Sequence, residues 1–173
     1  MQQIARRNER AFAELYERYG RRMHRYFYRM LWRDAALAED FTQELFLKII
    51  EKPQAYDPAR PFRPWIYTLA ANLCKNEYRR KKPAGSDTPA PEMPEPEGFY
   101  LPDRLDRELF ENSLRDAIDQ LGALHQHCFV LRYQEELSIA DIAQILDCPE
   151  GTVKSRLHYA LQKVTDRMFI FKH

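Results

Sequence analysis

The stretch 152–164, TVKSRLHYALQKV, predicts a helix with one apolar side and one side rich in hydrogen-bonding groups. The apolar side consists of Val153, Leu157, Ala160, Leu161 and Val164. The other side carries Lys154, Ser155, His158 and Tyr159 and almost no negative charge. Such groups hydrogen-bond to base edges in a major groove, while Lys154 and Arg156 can meet phosphates. The pattern therefore favours contact with duplex DNA, the alternative being a solvated face of a helical bundle.

The residues before this helix predict the element that positions it. SIADIAQIL is a second short amphipathic helix, and Ser138 and Asp141 have the spacing of a capping box at its start. The small residue Ala143 lies where two helices are expected to cross, and the turn DCPEG follows. Two short helices joined by such a turn are typical of a helix-turn-helix.

A second candidate set lies between residues 56 and 82, where aromatic side chains alternate with cations. The aromatic residues are Tyr56, Phe62, Trp65 and Tyr67, and the cations are Arg60, Arg63, Lys75, Arg79, Arg80, Lys81 and Lys82. Rings stack on unpaired bases while cations follow the backbone, so the pattern suits single-stranded nucleic acid. Asn72 and Asn76 add amides on the same helix. We expect Tyr56, in a loop, to be a better stacking platform than Trp65, whose spacing from Leu69 favours the core.

A third set lies on a helix predicted to begin after Asp34 as N-cap and to run to residue 52. Its exposed side carries Asp40, Gln43, Glu44 and Leu47. Carboxylates four residues apart can bind a metal or act as acid and base, but no histidine accompanies them at ligand spacing. A solvated face is favoured over a catalytic one, and a protein-docking face stays open.

The histidines and cysteines do not form a predicted metal or catalytic site. His125, His127 and Cys128 lie within a predicted helix, where residues two apart point in different directions. Three cysteines, Cys74, Cys128 and Cys148, are an odd number without metal-type spacing, which favours reduced thiols in the core or at the surface. No set of nucleophile, base and orienting group is visible. We therefore expect no enzyme activity, no cofactor and no metal.

The chain predicts an all-α fold of two small domains, residues 1–82 and 105–173. They are joined by a flexible, acidic, proline-rich linker over 83–104. In the first domain the apolar stripe consists of Phe12, Leu15, Tyr16, Tyr19, Met23, Tyr26, Phe27, Met30 and Leu31, with a helix break expected near Gly20. In the second domain the predicted buried residues of the two leading helices are Leu109, Leu114, Ile118, Leu121, Phe129, Val130 and Tyr133.

The formal net charge of +1 is the sum of segments with opposite net charges. Residues 1–82 contain 18 Lys and Arg against 10 Asp and Glu, residues 83–112 contain 2 against 8, and residues 113–173 contain 7 against 8. A basic block beside an acidic one suggests a different partner for each, with nucleic acid a candidate for the basic block. No apolar run reaches the length of a membrane span, so we expect no membrane insertion and a cytoplasmic location.

Four segments, in chain order, resemble a bacterial RNA polymerase sigma factor of the extracytoplasmic-function class, which contains only the second and fourth conserved sigma regions. They are AFAELYERY, AEDFTQELFLKI, PWIYTLAANLCKNEYRRKK and LRYQEELSIADIAQILDCPEGTVKSRLHYAL. The resemblance covers nearly the whole chain apart from the linker. It departs from the family at Gly122, where proline is usual, and at Tyr159, where a basic residue is common.

The resemblance implies that the chain binds core RNA polymerase, directs it to promoter DNA and helps to open it, and that an anti-sigma protein holds it inactive. By position, the polymerase interface comprises Asp40, Gln43, Glu44 and Leu47. The residues expected to contact the −10 element are Tyr56, Asn72, Lys75, Asn76 and Arg79. The residues expected to contact the −35 element are Lys154, Ser155, Arg156, His158 and Tyr159.

Two other functions stay open from the residues alone. A stand-alone helix-turn-helix regulator would bind a duplex operator without polymerase, and it would leave the acidic helix face and the aromatic set idle. An RNA-binding or interaction module would require the first domain alone to bind single strands.

Overall fold

The computed structural model describes residues 1–81 and 107–169, with the side chains of 1–81 and 112–167. All regular elements in this part of the chain are helical, which confirms the predicted all-α class. One compact unit contains residues 1–81, and a second contains 107–143 and 147–169. The predicted linker over 83–104, Lys82 and the side chain of Leu109 lie outside this description. Within the described ranges, no helix has the length and apolar character needed to cross a bilayer.

The first unit contains four α-helices, α1 (Gln2–Ala5), α2 (Glu9–Met30), α3 (Ala35–Glu51) and α4 (Phe62–Lys81), with a 3-10 turn at Pro53–Ala55. The side chain of Asn8 accepts a hydrogen bond from the backbone nitrogen of Ala11 at 3.1 Å at the start of α2. Asp34 does the same for Leu37 at 3.0 Å at the start of α3, which confirms the predicted N-cap. Both long helices therefore begin at residues that satisfy free backbone donors.

The helix break expected near Gly20 does not occur. Helix α2 continues through Gly20, which is buried. A Cβ at this position would lie 3.3 Å from the ring of Tyr16, so glycine leaves room for that ring. The ring of Tyr16 also contacts the ring of Phe46, with centroids 4.8 Å apart. Packing of an aromatic side chain over the glycine thus compensates for the low helix propensity of glycine.

The core of the first unit is aromatic and comes from α2, α3 and α4. The rings of Tyr26 and Tyr67 pack edge to face with centroids 5.4 Å apart, and both side chains are fully buried. Phe27 packs against Phe41 in the same manner. Burying one such side chain contributes about 1.5–3 kcal/mol, so these contacts hold α4 and α3 against α2.

The second unit contains α5 (Arg107–Asp119), α6 (Ala123–Phe129), α7 (Ile139–Leu146) and α8 (Glu150–Phe169), with a π-helical turn at Val130–Gln134. One buried cluster joins α5, α6 and α8 and consists of Ala117, Ile118, Leu121, Phe129, Ala160 and Val164. Leu114 and Leu161 pack against it. This cluster holds the inner side of α8 and so determines which of its side chains face outward.

The π-helical turn corrects one predicted core residue. Phe129 and Val130 are buried as expected, whereas the side chain of Tyr133 is 47% exposed. The backbone nitrogen of Glu135 donates to the carbonyl of Val130 at 3.0 Å, so the turn contains one more residue than an α-helical turn. The extra residue changes the direction of the side chains that follow, and Leu131 and Leu137 occupy the core instead.

Helices α7 and α8 form the predicted helix-turn-helix. The backbone nitrogen of Asp141 donates to the Ser138 hydroxyl at 3.0 Å, and that hydroxyl donates to the Asp141 carboxylate at 2.7 Å. Asp147 ends α7 with a φ of 52°, and the backbone nitrogen of Cys148 donates to the carbonyl of Ala143 at 3.0 Å. This is the hydrogen bond of a Schellman motif. It fixes the turn that leads into α8.

Candidate nucleic-acid interface

The side chains on the outer face of α8 differ in solvent exposure. This face is defined by Lys154, Ser155, His158 and Tyr159. Lys154 and Ser155 are exposed, whereas His158 and Tyr159 are half-buried. The predicted inner face is confirmed, because Val153, Leu157, Ala160 and Val164 are buried. The first two turns of α8 therefore offer a cation and a hydroxyl to a ligand without any rearrangement.

Two of the predicted contact residues make bonds within the unit. The Ser155 hydroxyl donates to the carbonyl of Thr152 at 3.0 Å, an exposed bond that a better acceptor can replace. Arg156 is half-buried, and its Nη1 lies 3.6 Å from the sulfur of Cys148. The guanidinium thus lies along the turn before α8. It is less available to phosphates than the ammonium of Lys154.

His158 and Tyr159 lie deeper on the same face. The ring of Tyr159 packs against the ring of His125 from α6, with centroids 4.4 Å apart. Burial, assisted by the Arg156 guanidinium, lowers the pKa of His125, so this imidazole is neutral at pH 7. The Nε2 atom of His158 is buried and has no hydrogen-bond partner among the described residues. A ligand that reaches this nitrogen would satisfy it.

An aromatic cluster joins Tyr56, in the loop after the 3-10 turn, to Phe62 and Trp65 in the first turn of α4. The three ring centroids lie 5.1–5.4 Å from one another. The Tyr56 hydroxyl donates to the carbonyl of Arg60 at 2.6 Å, and this bond closes the loop. All three side chains are half-buried. Trp65, expected in the core, is therefore part of the same surface cluster as Tyr56.

Tyr67 is not available to a nucleic acid. The sequence pattern grouped it with the exposed aromatic residues, but its side chain is fully buried against Tyr26. Tyr67 follows Trp65 by two residues, which on a helix directs it to a different side. Here that side is the core of the first unit.

One side of α4 extends from the aromatic cluster as a polar stripe. Trp65, Asn72, Asn76 and Arg79 are spaced by seven, four and three residues, so they lie along one helix face. Asn72, Asn76 and Arg79 are exposed, and the Arg79 guanidinium donates to the Asn76 side chain. Lys75 beside them is half-buried. Amide groups and one cation thus continue the surface that begins at the aromatic cluster.

The cations at the end of α4 are less free than their number suggests. Glu77 is buried, and its carboxylate lies 2.9 Å from Arg80 and 3.8 Å from Lys81. The Nζ atom of Lys81 also lies 3.9 Å from the ring centroid of Trp32. Trp32 is 53% exposed and was not singled out from the sequence. The Glu77 carboxylate therefore pairs with Arg80 and Lys81, and the Trp32 ring also contacts Lys81. Both cations had been predicted to follow the backbone of a nucleic acid.

The acidic face of α3, defined by Asp40, Gln43, Glu44 and Leu47, is solvent-facing as predicted. The three polar residues are exposed, and Leu47 is 56% exposed. Glu44 pairs with Lys48 at 3.2 Å, an exposed pair that contributes little stability. Ile50 is 44% exposed three residues after Leu47, and the sequence reading missed it although that spacing was visible. Two exposed apolar side chains with polar groups around them have the arrangement of a small interface core and its polar rim.

Two family models match the chain, "Sigma-70 region 2" over residues 15–83 and "Sigma-70, region 4" over residues 111–164. Among curated proteins, the chain is 38% identical to ECF RNA polymerase sigma factor SigL of Mycobacterium tuberculosis over 151 residues, which covers 86% of the chain and 83% of SigL. It is 30% identical to ECF RNA polymerase sigma factor SigW of Bacillus subtilis, covering 91% of the chain and 89% of SigW.

Two solved structures have the same fold. CnrH, solved in complex with the cytosolic domain of CnrY, superposes with a TM-score of 0.68 at 21% identity, covering 95% of this chain and 91% of CnrH. The sigma factor RpoE of Bartonella quintana, solved in complex with the anti-sigma factor NepR, also gives a TM-score of 0.68, at 18% identity, covering 92% of this chain and 98% of RpoE.

Proposed function

The chain belongs to the extracytoplasmic-function (ECF) family of RNA polymerase sigma factors, and we propose that it directs core polymerase to promoters through three separate surfaces. Sigma factors are initiation factors, and the polymerase carries out the chemistry. We propose accordingly that the chain is not a catalyst, needs no cofactor and acts in the cytoplasm beside the polymerase. Residues 1–82 would act as sigma region 2, residues 105–173 as region 4, and residues 83–104 as the linker that sets their spacing.

The outer face of α8 is the proposed contact with the −35 element. The observation that carries this assignment is the pair of exposed polar residues, Lys154 and Ser155, on the first turns of the second helix of a helix-turn-helix. His158 lies on the same face, but its Nε2 is buried, so the ring would have to turn outward to reach a base. Tyr159 adds ring surface, and Arg156 would reach a phosphate after leaving Cys148.

The aromatic cluster and the polar stripe of α4 are the proposed contact with the melted −10 element. A base stacked on Tyr56 would lie at the start of the stripe formed by Asn72, Asn76 and Arg79. Amide side chains hydrogen-bond to the edges of an unpaired base, and the cations of Lys75 and Arg79 follow the backbone. The packing of the Tyr56 ring against Phe62 and Trp65 supports this assignment, because it holds the ring in place before DNA arrives.

The acidic face of α3 is the proposed docking surface for core polymerase. Its support is the exposure of Asp40, Gln43, Glu44 and Leu47 together with the neighbouring apolar side chain of Ile50. We propose in addition that an anti-sigma protein inhibits the chain, because the structural neighbour RpoE was solved with the anti-sigma factor NepR.

Transcription with purified core polymerase tests the proposed function directly. We expect the full chain to produce promoter-specific transcripts from genomic fragments, and we expect core polymerase alone to produce none. Without polymerase the chain should bind promoter duplex weakly, because residues 113–173, which carry the helix-turn-helix, contain 7 Lys and Arg against 8 Asp and Glu. Tight binding to one duplex site without polymerase, and no specific transcript, would instead indicate a stand-alone regulator.

Replacing Ser155 and His158 together with alanine tests the outer face of α8. Each lost base contact should weaken promoter binding by about 1–3 kcal/mol, and the preference among −35 sequences should change. The measurement is competition binding of the holoenzyme to promoter variants. Asp166→Ala, an exposed change on the same helix, is the control and should leave the preference unaltered. An unaltered preference in the double variant would remove this face from −35 recognition.

A further inference from the structure

The turn between α2 and α3 has a backbone that its residue types oppose. Trp32 and Arg33 both lie in the left-handed region, with φ of 54° and 58°. Glycine or asparagine is favoured at such positions, because a bulky side chain there costs conformational energy. The backbone nitrogen of Arg33 donates to the carbonyl of Tyr28 at 2.9 Å, and that of Asp34 donates to the carbonyl of Leu31 at 3.1 Å. These bonds hold a strained turn that carries a tryptophan.

The indole of Trp32 is held in one place and is still open to solvent. Its ring packs edge to face against the ring of Tyr78 on α4, with centroids 5.6 Å apart. The Tyr78 hydroxyl donates in turn to the carbonyl of Met30, the last residue of α2. The Nζ atom of Lys81 lies over the indole, yet about half of Trp32 is exposed. The strained turn therefore presents a fixed and accessible aromatic ring.

The charges around this ring favour a nucleic acid as its partner. The last turn of α4, which contacts the indole through Lys81, also carries Arg79 and Arg80. The Glu77 carboxylate compensates one of these three charges, so this end of α4 stays cationic. A ring among cations suits nucleic acid, since bases stack on the ring while cations meet phosphates. The ammonium of Lys81 can exchange the indole for a phosphate, which uncovers a face of the ring for a base.

The place of the ring along α4 indicates which part of a promoter it would meet. Lys81 follows Trp65 by 16 residues, so about 24 Å of helix separates the indole from the aromatic cluster. The polar stripe of Asn72, Asn76 and Arg79 lies between them. The chain continues from α4 into the linker towards the unit proposed to read the −35 element, which lies upstream. The Trp32 end of the stripe is therefore its upstream end.

We propose that Trp32 stacks on promoter DNA at the upstream edge of the melted region, where the last base pair meets the first unpaired base. This inference rests on the proposed −10 contact of α4. The base pair at that edge has one open face, because its neighbour has left the stack, and the indole covers this face. Stacking on an aromatic ring tolerates any base, so Trp32 stabilises the open promoter without selecting its sequence.

Binding of forked DNA by the full chain without polymerase tests this contact independently of the proposed function. The probes are a labelled duplex with one unpaired arm and the same duplex with blunt ends, at low ionic strength, where attraction to phosphates is strong. By fluorescence anisotropy the wild type should prefer the fork, and Trp32→Gly should bind the fork about tenfold more weakly and the blunt duplex equally well. No preference in the wild type, or an equal preference in Trp32→Gly, would overturn the proposal.

Thermal unfolding of two variants separates a DNA contact from a structural role of the ring. Trp32→Gly relieves the strained φ as it removes the indole, so its Tm should equal or exceed that of the wild type. Trp32→Phe keeps a ring and the unfavourable φ, so it should bind the fork better than the glycine variant without being more stable. A parallel fall of stability and fork binding from Trp to Phe to Gly would show that the indole only packs the turn, and would overturn the proposal.

Fluorescence of 2-aminopurine placed at successive promoter positions locates the ring in the holoenzyme. One position at the upstream edge should be quenched with the wild type and bright with Trp32→Gly. Tyr28→Ala removes another exposed aromatic side chain near the same turn and should behave as the wild type.

The outcomes distinguish this inference from the proposed function. If the wild type gives promoter-specific transcripts and Trp32→Gly shows the same quenching, the inference fails and the proposed function stands. If fork binding depends on Trp32 but no specific transcript forms, the proposed function fails and the contact with DNA stands. Loss of co-purification with core polymerase in Trp32→Gly, with fork binding unchanged, would assign the ring to a protein interface and overturn the inference.

Discussion

Charge reversal on the acidic face of α3, in the double variant Asp40→Lys and Glu44→Lys, is expected to abolish binding to core polymerase. A charge that is buried and paired at an interface costs about 2–5 kcal/mol when its partner interaction is lost. Two losses at the lower limit correspond to about a thousandfold weaker binding. Co-purification of the chain with core polymerase measures this, and promoter-specific transcription should fall with it.

The variant should still fold, because both side chains are exposed and only the Glu44–Lys48 pair is broken. Glu14→Lys with Glu17→Lys is the matched control on α2. It makes the same change in charge at exposed positions and breaks the comparable pair between Glu14 and Arg18. Normal polymerase binding by the α3 variant, or equal loss in the α2 control, would show that the docking surface lies elsewhere.

Removing the ring of Tyr56 should impair promoter opening. A base stacked on an aromatic side chain contributes about 1–3 kcal/mol, so Tyr56→Ala should lower open-complex formation by roughly tenfold to a hundredfold. Asn72→Ala in the same chain should lower it further through the loss of a hydrogen bond to the unpaired base. Permanganate reactivity of thymines in the melted region measures the open complex, and a fluorescent label on duplex DNA measures closed binding.

Tyr56→Phe separates the ring from the hydroxyl. It keeps the contacts with Phe62 and Trp65 and loses only the bond to the carbonyl of Arg60, so it should open promoters nearly as well as the wild type. Tyr28→Ala, an exposed tyrosine elsewhere on the unit, is the control for loss of an aromatic side chain. If Tyr56→Phe is as defective as Tyr56→Ala, loop closure rather than base stacking explains the effect.

Local signals predicted much of the fold. Asp34 and Ser138 lie where helix starts were expected, because a side-chain oxygen at an N-cap satisfies donors within three residues and needs no distant partner. The spacing of Val153, Leu157 and Val164 likewise predicted the inner face of α8. Both signals depend on helix geometry alone, which is why sequence was sufficient.

The errors arose where side-chain packing or an irregular turn overrides the simple helical pattern. Gly20 does not interrupt α2, because the ring of Tyr16 fills the space beside it. Tyr67 belongs to the core through contact with Tyr26, 41 positions earlier in the sequence. Tyr133 is exposed because of one extra residue in the π-helical turn, which no local rule indicated. Composition alone cannot distinguish an aromatic residue that packs from one that binds.

The candidate sites show the same difference between features set by helix geometry and features set by tertiary packing. The acidic face of α3 was correctly predicted to be exposed, since a helical wheel determines it. The contact of Trp65 with Tyr56 and Phe62 was not predicted, because it depends on how the loop before α4 folds back onto that helix.

The buried carboxylate of Glu77 has a consequence for how ionic strength acts on DNA binding. Each cation that neutralises a phosphate releases condensed counterions, and binding weakens with added salt at a slope of roughly 0.9 per phosphate on duplex DNA. Arg80 and Lys81 carry two positive charges, but Glu77 already compensates one of them. If this end of α4 contacts the promoter as proposed, it would displace about one counterion fewer than the sequence Arg79-Arg80-Lys81 suggests, and promoter binding would be correspondingly less sensitive to salt.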